Sequence, residues 1–112
     1  MRHVTIADKS LLVGDEAAEL LVEYAKLIGH ATSADSIELR AIGIDGGEVR
    51  ATFLLNSGLS IVTETTTSVL PEPDNGKAVQ NMHTQIVRLR ALEVTSPEDI
   101  AGADIWNRSR GA

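Results

Sequence analysis

The spacing of apolar side chains changes period three times along this chain. Residues 3–7, HVTIA, alternate and predict a short N-terminal strand, while SLLV at 10–13 reads either as a second strand or as the lead-in to a helix. From Asp15 to Ile28 the period is helical. Glu16, Glu19, Glu23 and Lys26 recur at three or four residues, and Ala17, Leu20, Leu21, Tyr24, Ala25, Leu27 and Ile28 supply a broad apolar side. Asp15 and Glu16 suit the positive end of the helix dipole, and Gly29 is the expected stop.

Between Asp35 and Val69 the period is two. Ile37, Leu39 and Ala41 share one side of a strand, Val49, Ala51, Phe53 and Leu55 one side of the next, and Leu59 and Ile61 begin a third. The breaks DGG (45–47) and NSG (56–58) each suit a three-residue hairpin loop ending in glycine. With those loops, Leu39 faces Phe53, Ile37 faces Leu55, Phe53 faces Ile61 and Arg50 faces Glu64, so apolar meets apolar in both hairpins. LPEPDNG (70–76) ends the strands. Asp74 is a fair cap for a second helix, about Asn75 to Leu92, with Val79, Met82, Ile86 and Leu89 as its stripe. SPED (96–99) matches a capping box and opens a short helix.

The expected fold is α+β: a two-layer sandwich with an antiparallel meander of three to four strands, two long helices on one face and a short C-terminal helix. Residues 1–95 form the domain, and 96–112 the short helix and tail. At 112 residues the chain is one domain, and with only 3% aromatic residues its core is aliphatic.

A formal net charge of −6 argues against nucleic-acid and anionic-membrane binding, which need a positive field. The charge is uneven: residues 1–76 carry 12 acidic and 5 basic side chains, residues 77–112 carry 4 and 5. With no cysteine there is neither a disulfide nor a thiolate nucleophile. No apolar run reaches the length of a membrane span, the N-terminal residues lack a signal-peptide pattern, and the expected location is cytoplasmic.

Candidate chemistry is sparse. TETTTS (63–68) gathers hydroxyls around one carboxylate, but a strand sends Thr63, Thr65 and Thr67 to one face and Glu64, Thr66 and Ser68 to the other, and threonine favours strands. His3, His30 and His83 lack metal-ligand spacing, Ser10 lacks a nucleophile-elbow context, and no cofactor is implied. An anion at PDNGK (73–77) competes with ordinary helix capping.

The more informative feature is the sheet face turned away from the helices. It is expected to carry Ile42, Ile44, Leu54 and Val62, rimmed by Arg50 and Glu64. That composition suits a contact surface, in the first instance of a homodimer, unless the N-terminal strand, or the tail through Trp106, covers it. The leading expectation is therefore a protein-interaction domain. One alternative is a small-molecule or enzymatic site between helices and sheet, near Tyr24, His83, Thr63, Thr65 and Thr67. Another is an acidic inhibitor or immunity-type protein that meets a basic protein partner through Glu16, Glu19 and Glu23.

Overall fold

A computed structural model describes residues 1–94 of the chain. The expected short helix from 96 onward, and Trp106, lie outside the described residues. The fold is mixed α+β. In chain order it comprises β1 (Arg2–Ile6), β2 (Lys9–Val13), α1 (Asp15–His30), β3 (Ala34–Ile42), β4 (Glu48–Asn56), β5 (Ile61–Thr65) and α2 (Gly76–Val94). No helix among the described residues is long and apolar enough to cross a membrane.

The first two runs are both strands, joined by a hairpin whose paired ends are Ile6 and Lys9. Ala7 in its turn takes φ 55, a conformation that glycine adopts without cost. At Gly14 the chain turns into α1. A Cβ there would meet the Glu72 carboxylate at 2.2 Å, so a larger residue would have to displace that exposed side chain. Helix α1 buries Ala17, Ala18, Leu21, Tyr24, Leu27 and Ile28, the side its periodicity defines. It does not stop at Gly29. It runs on to His30, and the amides of Thr32 and Ser33 close back on the carbonyls of Gly29 and Ile28 at 3.1 Å each. This is a Schellman closure, and its left-handed position is held by Thr32 at φ 52. A β-branched residue is costly there.

Strands β3 and β4 form a hairpin with the expected faces in a different register. Leu39 faces Ala51 and Ile37 faces Phe53, a shift of two residues from the expected pairing. The loop begins one residue early. Gly43 and Gly46 close a turn at 3.0 Å, Gly46 takes the left-handed position at φ 85, and the Asp45 carboxylate accepts the Gly47 amide. Because the shift is even, every side chain keeps its face. Ile37, Leu39, Phe53 and Leu55 are buried as their alternation requires.

The third strand overturns the meander. Strand β5 does not pair with β4; it runs antiparallel to β1, with Ile61 facing Ile6 and Thr63 facing Val4. The sheet has five strands in the order β4-β3-β2-β1-β5. The apolar inner side of β5 finds equivalent partners on β1, so cross-strand complementarity alone did not distinguish the two neighbours.

Strands β2 and β3 are paired at one position, Leu12 with Ile42. Followed through the registers, Ile61 stands level with Lys9, and Asn56 stands eight positions beyond the level of Leu12. In a flat sheet these two residues would be roughly 40 Å apart, given ~3.3 Å per residue and ~4.8 Å between strands. Residues 57–60 link them and span about 18 Å at most. The sheet therefore folds over at the Leu12–Ile42 junction. Helix α1 packs against both limbs, touching β1, β3 and β4, and Ser57 lies 3.9 Å from the position of a Cβ on Gly29.

Helix α2 lies beside α1. Glu16 meets His83 and Glu23 meets Arg90, early residue to early and late to late, so the two helices run parallel. Met82 and Ile86 enter the common core, with Ala78 and Leu89 partly buried against it. Asp74 caps the first amide of α2, at Gly76, as its position before the helix predicts. The neighbouring Asn75 does something sequence does not disclose. Its side-chain amide accepts from the Arg40 amide at 2.7 Å and donates to the Arg40 carbonyl at 2.9 Å, occupying the edge of β3 where β2 has already turned away.

Two substitutions test this description. Phe53→Ala should cost about 3–5 kcal/mol in a denaturant melt, the cost of emptying a buried aromatic site. Thr32→Gly should raise stability by about 1 kcal/mol, by relieving the left-handed conformation at the end of α1.

Candidate contact surface

The residues expected on the outer sheet face are dispersed by the strand order. Leu54 on β4 and Val62 on β5 are exposed but belong to opposite ends of the sheet. Ile42 is buried at the fold between the limbs, and Ile44 sits fully exposed in the β3–β4 turn. The expected pairing of Arg50 with Glu64 does not form. Arg50 stands opposite Arg40 and lies 3.9 Å from Glu38, and Glu64 stands opposite His3. These changes share the cause given above, the placement of β5 beside β1.

The expected pocket residues are drawn from α1, α2, β5 and the segment after it. Tyr24 is buried and donates its hydroxyl to Asp35 at the start of β3. His83 is exposed on α2, 3.5 Å from Glu16. Thr63 and Thr65 are on β5, on the side of Ile61 as the alternation predicts, and Thr67 follows the strand. The rest of the hydroxyl run shapes backbone: Thr66 accepts the Ser68 amide and Ser68 accepts the Leu70 amide, both at 3.2 Å.

The acidic stripe on α1 is answered within the chain. Glu16 meets His83, Glu19 takes Arg2 at 2.8 Å, and Glu23 takes Arg90 at 2.6 Å. The hydrogen bond from Arg90 holds the Glu23 carboxyl below its ordinary value of 4.5, against the opposing effect of burial. The stabilisation from this pair is present above that ordinary value and is lost as pH falls through the lowered one.

The β1–β2 hairpin also assembles a polar group that sequence spacing did not reveal. Ser10 lies 3.4 Å from the His3 ring and accepts from the Thr5 hydroxyl at 3.2 Å, on an exposed face. At the other end of the sheet, the start of α2 lines a polar cleft with Arg40, Arg50 and Lys77. The first amide of that helix is already taken by the Asp74 carboxylate.

The edge of β4 is a continuous exposed feature. This strand is nine residues long, ends the sheet, and pairs on its outer side with no strand among the described residues. The Gly43 amide donates to the Gly47 carbonyl at 2.9 Å, which sets the ladder's phase. By alternation Val49, Ala51, Phe53 and Leu55 bond inward to β3, so Glu48, Arg50, Thr52, Leu54 and Asn56 direct their amides and carbonyls outward. The pairing with β3 is uninterrupted, without a bulge, and the strand contains no proline. Exposed apolar side chains occur on both faces of the same border, Val49 at 40% exposure on the side of Phe53 and Leu54 at 61% on the other, with Ile44 in the adjoining turn. Sequence pattern located the strand; it carried no sign of which strand would be terminal.

No family model, curated protein or solved structure matches this chain.

Tyr24 offers a direct check of the link between α1 and β3. Burial, then the hydrogen bond to Asp35 and that residue's charge, push its hydroxyl from the ordinary value of 10 up to about 12, with Arg88 acting weakly the other way. A raised acid pKa contributes stability that is complete below pH 10 and is lost as pH rises towards 12. Tyr24 is the only tyrosine, so near-ultraviolet absorbance of tyrosinate reports it alone. The native protein should titrate near 12, and the protein in denaturant near 10.

Proposed function

We propose that this chain is a protein-interaction domain that acts as a homodimer, and that the contact is the outer edge of β4. One observation carries the reading: a nine-residue terminal strand with neither bulge nor proline, bordered by exposed Ile44, Val49 and Leu54. Natural sheets blunt such edges with charges, prolines, bulges or short strands, because unpaired amides and carbonyls are a template for another strand. This strand has charges at Glu48 and Arg50 but none of the other devices. A second copy satisfies the edge by extending the sheet. Each backbone bond contributes about 0.5–1.5 kcal/mol, and burial of Val49 and Leu54 adds about 1.5–3 kcal/mol each when complete. Association costs several kcal/mol, which leaves a dimer of about micromolar affinity.

Sedimentation equilibrium at micromolar concentration should give a dimer for the wild type. Arg50→Pro should give a monomer whose melting temperature stays within a few degrees of wild type, because the Arg50 amide points outward and its loss breaks no bond to β3. A monomeric wild type at high micromolar concentration would remove the reading.

A further inference from the structure

Resting on that reading, we infer that two β4 edges meet antiparallel about a two-fold axis at Val49, so that Glu48 of each copy faces Arg50 of the other. The ladder's phase limits the choices. Outward-bonding positions in β4 are Glu48, Arg50, Thr52, Leu54 and Asn56, so a second copy must oppose one of these to another of these. A two-fold axis at Arg50 sets Arg50 against itself, and like charges directly opposed are unfavourable. Axes at Ala51, Thr52 or Phe53 set Arg50 opposite Thr52, Leu54 or Asn56, and leave both charges unmatched across the interface. The axis at Val49 sets Arg50 opposite Glu48, and symmetry makes the pair twice.

The same register answers two other features. Arg50 already faces Arg40 within its own chain, and the ion pairs beside them, Arg50 with Glu38 and Arg40 with Glu48, are both 3.9 Å long, beyond hydrogen-bond reach. A carboxylate directly across the interface gives Arg50 a closer partner. The axis also stacks exposed Val49 on its symmetry copy.

The experiment uses the full chain, which has no cysteine of its own. A residue on the axis at Val49 falls at a non-hydrogen-bonded position, where Cα atoms approach to about 4.5 Å, within the range a disulfide tolerates. Val49→Cys should therefore form a covalent dimer on mild oxidation, and Ala51→Cys and Thr52→Cys should not. Glu48→Arg and Arg50→Glu should each weaken self-association roughly tenfold or more, since each opposes like charges at the pair. Mixed together, the two variants should form a heterodimer of near wild-type affinity, a recovery that a merely misfolded variant would not give. Cross-linking at Ala51→Cys or Thr52→Cys in place of Val49→Cys, or a mixture that stays monomeric while the wild type dimerises, overturns the Val49 axis and leaves the β4 contact standing. A wild type that sediments as a monomer overturns both.

Discussion

The architecture follows from how little β2 and β3 share. Their pairing is confined to Leu12 and Ile42, because the chain leaves β2 at Gly14 to start α1. A strand that loses its neighbour exposes amides and carbonyls, and buried backbone groups left without partners are costly. The structure meets this at Arg40 with the side-chain amide of Asn75, which supplies one donor and one acceptor in the manner of a missing strand. That bracket also sets where α2 begins, and so places Met82 and Ile86 over the core. The single junction permits the sheet to fold over α1, which the short link 57–60 then requires.

The charges on the helices belong to the same arrangement. Parallel packing brings Glu16 and Glu23 to His83 and Arg90, and the N-terminal strand brings Arg2 to Glu19. Each is a surface pair and contributes ~1 kcal/mol or less. Their combined consequence is one of specificity: an acidic stripe that looks available for a basic partner in sequence is engaged inside the molecule. The outer edge of β4, by contrast, presents backbone groups and exposed apolar side chains.

That edge joins fold to proposed function. Had β5 paired with β4, as hairpin complementarity alone permits, β4 would be an interior strand and Leu54 would have a neighbour on each side. With β5 across the sheet beside β1, β4 is terminal, and Ile44, Val49 and Leu54 line one border. The proposed contact is thus a consequence of topology more than of composition.

Local pattern was enough to locate both helices, the faces of β3 and β4, the Asp74 cap and the placement of Thr63 and Thr65 on one side of β5, although that strand ends at Thr65 and leaves Thr66, Thr67 and Ser68 beyond it. Each of these depends on periodicity or on bonds between near neighbours, and such terms are written residue by residue. The end of α1 escaped because Gly29 tolerates a helix, and Thr32 accepts the left-handed turn under the constraint of the packed chain on both sides. The β3–β4 register escaped because two loop positions in IDGG differ by one residue and keep the same faces. The partner of β5, the Asn75 bracket, the Tyr24–Asp35 link and the identity of the terminal strand were decided by tertiary structure alone. They bring together residues distant in sequence, and the choice among several equally apolar partners is made by chain connectivity and by the need to satisfy every backbone group once the core has closed.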